Sequence, residues 1–520
     1  MNKIEAIKHE RDGLAVGEMI AHFAATGWES IPEDDVQRLK WYGLFLRNPT
    51  PGRFMVRVRI PGGRTTVTHM RVLADLAATY GNGVLDLTTR QQIQLRHLTI
   101  EHVPEVFARM EAVGLTSLQT GMDNVRNVMT CPVAGLGPDE VLDTMELVRA
   151  LNEEVLGKPA YSNLPRKLNV AVTGCPHNCV HMETQDVALV PAYYDLGHDR
   201  CLGFNVLVGG KLGSGGCRMA SPLDVFVNPS DAVDVVRAIV ELYRDHGPRE
   251  NRTQARLAFL VEAWGAERLR AEVEAKVGKR LAPAGEDARK IGEHDHIGIF
   301  RQRQRGLNYA GLKVPVGRIQ AADFLKIVAL SERYGNGEIR LTPGQGLIVT
   351  NISDRVVGEL AEEPLLKQFA YNPSPVYKGL VSCVGSDYCN LAVIETKSRA
   401  VESAKALEKR LGGTLKPITM HWSGCPAGCG NHLVADVGLL GKKVRIDGKV
   451  VEAVDVYVGG RSGPDPKMAI KIMEDVPCDK LPMVLEGLLP YHTRDRMHRV
   501  RGGAAKKAVA AQDAPKSTAA

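Results

Sequence analysis

Four cysteines in the carboxyl-terminal part of the chain form two closely spaced pairs. Cys383 and Cys389 lie in S-C-V-G-S-D-Y-C-N, and Cys425 and Cys429 lie in S-G-C-P-A-G-C-G. The neighbouring glycine and proline residues favour sharp turns, which bring the backbone close to an inorganic centre. Four thiolates are the ligand set of an iron–sulfur cluster or of a structural zinc ion, and the combination of a C-x5-C pair with a C-x3-C pair argues against zinc. Buried cysteines without a ligand are the alternative interpretation.

Positively charged side chains recur in short motifs of the first half. Arg90 lies in T-T-R-Q, Arg126 lies in N-V-R-N, and Arg166 and Lys167 lie in L-P-R-K. Several cations near a thiolate-ligated centre indicate an anionic cofactor, an anionic substrate, or both. For any one of these cations the alternative is a solvated surface charge.

The elements that position these residues occur twice along the chain. Alternating apolar residues at 54–60 predict a strand, and one apolar face at 66–80 predicts a helix, which a glycine pair ends. A strand pair is predicted within 85–96. The Y-G-N-G of 80–83 recurs at 334–337, and T-G-C-P-H-N-C recurs later as S-G-C-P-A-G-C. The chain therefore contains an internal duplication.

Differences between the two copies point to the residues that keep a function. Arg90 corresponds to Gly344, so one copy retains a cation that the other has lost. Gly137 stands where the first copy would need a fourth thiol, and it cannot act as a ligand. We therefore expect no second cluster and interpret three first-half cysteines as remnants or buried free thiols, and three others as structural. The first three are Cys131, Cys175 and Cys179, and the others are Cys201, Cys217 and Cys478.

Composition limits the class of protein. The 520 residues are 44% hydrophobic and 24% charged, which is typical of a soluble enzyme with two to four domains. No run of about 18 apolar residues predicts a membrane span, and the start lacks a secretion signal. We therefore expect a cytoplasmic protein, in which the ten cysteines would be thiols or metal ligands and not disulfides. The net charge of +6 is mild and no arginine-rich groove with aromatics stands out, so we expect neither a nucleic-acid nor a membrane partner.

Longer motifs carry a family resemblance from about residue 5 to about residue 490. They are D-G-L-A-V at 12–16, R-L-K-W-Y-G at 38–43, T-P-G-R-F-M-V-R-V-R-I-P at 50–61, L-T-T-R-Q-Q-I-Q-L-R at 87–96, G-M-D-N-V-R-N at 121–127, S-N-L-P-R-K-L-N at 162–169, G-F-N-V-L-V-G-G at 203–210, G-L-N-Y-A-G-L-K-V-P-V-G-R at 306–318, and both cysteine pairs. With these residues the chain resembles the sirohaem-containing assimilatory nitrite and sulfite reductases. Within that family it is most similar to the bacterial ferredoxin-dependent enzymes.

The resemblance implies a fold of the α/β (α+β) class, a pseudo-twofold duplicated three-domain sirohaem reductase fold in a monomer. The expected segments are an N-terminal helical segment at 1–49, shared ferredoxin-like half-domains at 50–118 and 300–360, a middle α/β domain at 119–280, a linker at 281–299, a C-terminal domain with the cluster and sirohaem at 361–495, and a disordered tail at 502–520.

The resemblance also implies the cofactors and their ligands. The four carboxyl-terminal cysteines would hold a [4Fe–4S] cluster, and Cys429 would bridge it to the sirohaem iron. Sirohaem carries eight carboxylates, for which the strand arginines Arg59 and Arg96 are candidate partners. Arg90, Arg126 and Lys167 would surround nitrite, attract it and deliver protons.

The implied function is the six-electron reduction of nitrite to ammonia with electrons from reduced ferredoxin, or alternatively from flavodoxin. Sulfite reduction with the same cofactors is the near alternative. The sulfite type carries a second lysine two positions after Lys167, where this chain has Asn169, so we include Asn169 among the catalytic candidates and favour nitrite. A non-enzymatic iron–sulfur or zinc-binding protein would explain the four cysteines but not the cationic motifs.

Overall fold

The computed structural model describes residues 2–489 except 196, 198, 293, 413 and 414. The tail predicted at 502–520 lies outside the described residues. The helices are α1 (Lys3–Glu10), α2 (Ile20–Thr26), α3 (Glu33–Arg38), α4 (Val67–Tyr80), α5 (Val103–Glu111), α6 (Met145–Val155), α7 (Ala232–His246), α8 (Leu257–Val277), α9 (Ala321–Tyr334), α10 (Val357–Ala361), α11 (Pro375–Lys378) and α12 (Lys397–Leu411).

Strands make up four sheets of the described chain. They are β1 (Leu44–Arg47), β2 (Thr50–Val58), β3 (Arg64–Thr66), β4 (Val84–Leu87), β5 (Ile93–Leu98), β6 (Val170–Val172), β7 (Val187–Asp195), β8 (Arg200–Val208), β9 (Ser221–Val227), β10 (Glu286–Asp287), β11 (Gly298–Arg301), β12 (Leu307–Leu312), β13 (Arg318–Gln320), β14 (Glu338–Leu341), β15 (Leu347–Ser353), β16 (Gly379–Ser382), β17 (Thr419–Ser423), β18 (Val437–Ile446), β19 (Lys449–Val458) and β20 (Ile470–Pro477).

The first repeat begins with the strand and the helix that the sequence pattern predicts. β2 buries Val56 and Val58, and α4 begins after Thr66, whose side-chain oxygen accepts from the backbone N–H of His69. α4 ends before Gly81, and the antiparallel pair β4 and β5 follows. The predicted strand, helix and strand pair are therefore confirmed.

Each repeat contributes one strand to the sheet of the other repeat. β13 of the second half pairs antiparallel with β4, and β3 of the first half pairs antiparallel with β14. The resulting sheets run β1-β2-β5-β4-β13 and β11-β12-β15-β14-β3. α4 and α9 pack on each other within one shared core. The two halves are therefore interlocked, which fixes the turn after β4 against the second half.

The remaining two sheets also repeat one another. One runs β10-β7-β8-β9 with β6 parallel to β7, and the other runs β16-β17-β18-β19-β20. In each sheet a parallel pair, β6 with β7 or β17 with β18, precedes antiparallel strands, and each sheet has its own core. Among the described helices, none combines the length and apolar character that crossing a bilayer requires. The domain boundaries given above stay a prediction.

Candidate active site

The four carboxyl-terminal cysteines lie in two loops at one edge of the last sheet. β16 and β17 are parallel neighbours, so the loops that leave their carboxyl ends meet at the same edge. Cys383 directly follows β16, and Cys425 follows β17 after Gly424. The backbone N–H of Gly424 donates to the Sγ of Cys383 at 3.1 Å and so joins the two loops.

The thiols influence one another electrostatically. Burial raises the pKa of Cys425 to about 11, and the charges of Cys429, Cys389 and Cys383 act in the same direction. Thiolates in such an arrangement need a positively charged centre among them. The backbone N–H of Leu391 also donates to the Sγ of Cys389 at 3.4 Å, and hydrogen bonds to sulfur tune iron–sulfur clusters. The donor set therefore fits a [4Fe–4S] cluster.

Both cysteine loops contact the first repeat. The Thr89 hydroxyl donates to the carbonyl of Cys429 at 3.2 Å. The side-chain amide of Asn82 donates to the Tyr388 hydroxyl at 3.0 Å, and the Arg96 guanidinium lies 5.0 Å from the centre of the Tyr388 ring. The T-T-R turn of the first half is thus positioned against the last thiol of the second half.

Five cations interact with one another beside these thiols and are called here the cationic cluster: Arg47, Arg57, Arg90, Arg126 and Lys167. Burial, followed by repulsion from Arg90, lowers the pKa of Arg57 to about 9. The same two causes, in the same order, lower the pKa of Arg126 and of Lys167 well below their usual values. The charge of Cys429 opposes this shift for Arg57, Arg90 and Lys167, which places these three near that thiol.

Nearby carboxylates do not neutralise the cationic cluster. Asp86 pairs with Arg96, Asp123 with Arg252, and Asp186 with Arg256. Among the described residues, no carboxylate lies within 4.0 Å of a cationic-cluster nitrogen. Arg126 is buried and the other four members are half-buried. Even partial removal of several unpaired cations from water is costly, so this region is suited to an anionic ligand.

Three guanidinium groups also present unused donors. The Nε atoms of Arg47 and Arg126 and the Nη1 atom of Arg96 are buried without a hydrogen-bond partner among the described residues. A buried donor without a partner costs about 1–3 kcal/mol. The eight carboxylates of a sirohaem together with an anionic substrate would satisfy such donors, and the residues therefore fit that group.

Arg59 and Arg57 differ in what they contact. The Nε of Arg59 donates to the Oδ1 of Asn152 at 2.6 Å, and its other nitrogens donate to the carbonyls of Gln119, Val125 and Arg126. The donors of Arg59 are therefore used inside the fold. Sequence analysis did not select Arg57, although the R-V-R motif contains both arginines and was the available signal.

The three polar residues of the L-P-R-K-L-N segment have different surroundings. Arg166 forms an ion pair with Asp123 at 3.5 Å, whereas Lys167 belongs to the cationic cluster. The backbone N–H of Asn169 donates to Asp186 at 2.7 Å, and the Asn169 Oδ1 is buried with no partner in the described part of the chain. The charges of Arg90 and Arg126 both lower the pKa of Lys167, so the three predicted substrate-binding cations are brought together.

Comparison with protein families identifies the architecture. Residues 121–281 match the nitrite and sulphite reductase 4Fe-4S domain, and residues 47–113 and 300–366 match the nitrite/sulfite reductase ferredoxin-like half domain. The chain belongs to the nitrite and sulfite reductase family. The predicted family, the duplicated α/β fold class and the assignment as an oxidoreductase are confirmed.

Relatives in this family cover nearly the whole chain. The ferredoxin–nitrite reductase of Synechococcus elongatus is 46% identical and covers 94% of this chain and 96% of its own. The chloroplastic ferredoxin–nitrite reductase of Zea mays is 41% identical, with 94% and 89% covered. The structure of the Mycobacterium tuberculosis NirA protein superposes with a TM-score of 0.88 at 29% identity, covering 93% of this chain and 92% of that one.

The first-half cysteines of this family member have a neighbour that sequence analysis missed. Cys131, Cys175 and Cys179 are buried and form no disulfide. His296 lies with them as a fourth side chain that could bind a metal, and sequence analysis did not select it. The available signal was the H-D-H triplet at 294–296, which ends just before β11.

Proposed function

We propose that this protein is a ferredoxin-dependent nitrite reductase that forms ammonium. One nitrite takes up six electrons and eight protons and gives one ammonium and two water molecules. When bound, sirohaem and the [4Fe–4S] cluster supply electron transfer and the binding site for the nitrogen of nitrite. The single observation that carries the proposal is the unpaired cationic cluster, in which Arg126 is buried and the other four side chains are half-buried, beside four clustered thiols.

The proposal assigns the [4Fe–4S] cluster to the four carboxyl-terminal cysteines. They offer four thiols from two loops that meet at one sheet edge, and Cys429 lies against the cationic cluster. The matched 4Fe-4S domain covers the first-half cysteines instead, but those offer three thiols. Cys429, whose carbonyl accepts a hydrogen bond from the Thr89 hydroxyl, is the thiol that we propose would hold the cluster next to the sirohaem.

The cationic cluster has two tasks in this proposal. Arg47 and Arg57 of the cationic cluster, together with the neighbouring Arg96, bind cofactor carboxylates, whereas Arg59 stabilises the fold. Arg90, Arg126 and Lys167 attract nitrite and stabilise the negative charge that develops as electrons arrive. Because burial and neighbouring cations lower the pKa of Lys167, its ammonium group gives up a proton to a substrate oxygen more readily.

Sulfite is the second candidate substrate, and Asn169 is the residue that favours nitrite over it. A second lysine at that position would add attraction to a dianion and a further proton donor. Asn169 offers no charge. Nitrite is a monoanion bound through nitrogen, so it needs this extra charge less.

The electron donor is reduced ferredoxin, which the names of the relatives support. Flavodoxin as a second donor, a monomeric state and a cytoplasmic location are further parts of the proposal. One chain supplies all four thiols and the whole cationic cluster, so the site needs no second copy. None of the ten cysteines, all of which lie among the described residues, forms a disulfide, which is typical of a reducing compartment.

The test is a parallel assay of the purified protein with reduced ferredoxin and either nitrite or sulfite. We expect ammonium from nitrite, with nitrite turnover at least about ten times sulfite turnover, a difference of about 1.4 kcal/mol in the activation barrier. Faster sulfide formation from sulfite would replace the proposal with the sulfite reaction. No reduction of either anion by a protein with full cofactor content would reject both.

A further inference from the structure

We propose that Cys131, Cys175, Cys179 and His296 bind one structural zinc ion, at a site separate from the redox cofactors. The four ligand atoms lie within 4.8 Å of one another. Ligands bound to a tetrahedral zinc ion at about 2.0–2.3 Å lie roughly 3.3–3.8 Å apart, so small movements complete the site. A [4Fe–4S] cluster gives each thiolate its own iron atom and needs a wider arrangement.

Two loops of the fold bring the three thiols together. Met129, shortly before Cys131, bridges in parallel to Ala171 of β6, so the loops that follow leave the same edge. Cys175 and Cys179 lie in the loop after β6. The Arg340 guanidinium donates to the carbonyls at 132 and 134, at 3.3 and 2.6 Å, and fixes the loop of Cys131.

His296 is oriented as a metal ligand would be. It is only 3% exposed, and its Nε2 lies 3.4 Å from the Sγ of Cys131. Its Nδ1 lies 3.2 Å from the Tyr309 hydroxyl and 3.1 Å from the Nδ1 of His294. Ligating histidines usually use the second ring nitrogen in such a hydrogen bond, which fixes the tautomer. Its backbone φ of 57° is uncommon for a residue other than glycine and shows that the surroundings constrain it.

The donor set favours zinc in a structural role. Three thiolates and one imidazole occupy all four tetrahedral positions, so no position remains for water or substrate. Thiolate ligands select soft or borderline metals, and zinc has no redox chemistry that would divert electrons. Apolar side chains such as Val133, Val180 and Ile348 surround the thiols.

The site would attach the segment between the two halves to the first half. His296 lies two residues before β11, which begins the second-half sheet, and the neighbouring Asp295 forms an ion pair with Lys378 at 3.6 Å. A metal on His296 therefore joins this segment, and through β11 the second half, to loops of the first half. His296 would supply the fourth ligand, which Gly137 at the equivalent repeat position cannot supply, from a different part of the chain. The inference does not depend on the substrate of the enzyme.

The first experiment measures metals in the intact protein carrying its redox cofactors. We expect about one zinc ion per chain beside about five iron atoms, four in the cluster and one in sirohaem. X-ray absorption at the zinc edge should show three sulfur ligands at about 2.3 Å and one nitrogen at about 2.0–2.1 Å. Zinc below about 0.1 per chain, or a shell without sulfur, would overturn the proposal. About nine iron atoms per chain would replace it with a second cluster.

Variants then test each ligand. His296→Ala and Cys175→Ser should lower the zinc content at least about tenfold, and His296→Cys should restore it because a thiolate is also a zinc ligand. Cys201→Ser is the matched control, since it removes a thiol of the same half that lies outside the site. His294→Ala tests the neighbouring imidazole and should keep zinc. Full zinc in both His296→Ala and Cys175→Ser, or loss of zinc in Cys201→Ser, would contradict the assignment.

Discussion

Arg57 and Arg59 stand two residues apart in one motif but have different surroundings. The Arg59 guanidinium donates hydrogen bonds to backbone carbonyls and to the amide oxygen of Asn152. Arg57 instead donates to one carbonyl, that of Thr120 at 3.1 Å, and lies among other cations. Spacing along a strand predicts which face a side chain takes. It does not predict whether a carbonyl already occupies that face, so only three-dimensional contacts separate a cofactor-binding arginine from a structural one.

The first prediction compares these two arginines. Arg57→Gln should lower sirohaem occupancy about tenfold, because a charge-assisted hydrogen bond contributes about 1.5–3 kcal/mol. It should not lower the free energy of unfolding of the cofactor-free protein, since it removes a repelling charge. Arg59→Gln should instead lower that free energy by about 2 kcal/mol or more. Sirohaem titrations and denaturant unfolding measure the two effects. Equal behaviour of both variants would contradict the division of roles.

The second prediction concerns the residue that determines substrate choice. Asn169→Lys should raise sulfite turnover and lower nitrite turnover, changing their ratio by a factor on the order of ten, about 1.4 kcal/mol. The added ammonium group would lie near Lys167 and favour a dianion. Steady-state kinetics on both substrates with one chemical reductant and verified cofactor content measures the ratio. An unchanged ratio would mean that Asn169 does not determine selectivity.

The cysteine loops act as a unit at the scale of elements. The third prediction is that Cys383→Ser loses both the [4Fe–4S] cluster and sirohaem, because in the proposed assignment the Sγ of Cys429 would join the two centres. Electron paramagnetic resonance and absorption spectra report the two cofactors separately. Cys201→Ser, which removes a thiol far from these loops in sequence, should keep both. A full cluster signal in Cys383→Ser would refute the ligand assignment.

Local elements were predictable from the sequence, and their exchange between halves was not. β2, α4, β4 and β5 follow from apolar periodicity and a glycine stop. The pairing of β3 with β14 and of β13 with β4 joins residues far apart in sequence, and such short strands carry no pairing signal. His296 was missed for the same reason, because its partners are distant along the chain.

Buried neutral histidines affect the stability of the whole molecule. Burial lowers the pKa of His432 to about 4 and that of His421 to about 3. In the unfolded chain both titrate near 6.5, so below that pH the unfolded state binds more protons. The stabilisation that these buried neutral histidines contribute to the folded state is therefore constant above about pH 6.5 and is lost as the pH falls toward 4.

The fourth prediction follows from this decrease of stability with falling pH. Between pH 7 and pH 5 the His432 imidazole should account for a loss of about 1–2 kcal/mol in the free energy of unfolding. His432→Gln should show a correspondingly smaller loss over the same interval, and substitution of the exposed His22 by Gln should behave as the wild type. Denaturant unfolding at both pH values measures this. An identical pH dependence in His432→Gln and wild type would show that His432 titrates normally.

The stoichiometry of the complete reaction shows whether the protein carries nitrite through all six electrons to ammonium. With purified protein that carries both cofactors, the molar ratio of oxidised ferredoxin to ammonium formed is measured under limiting nitrite. We expect about six ferredoxins per ammonium, with all nitrite recovered as ammonium, because a one-electron donor must supply all six electrons. A ratio near one or two, with nitrogen released as a partly reduced product, would contradict it.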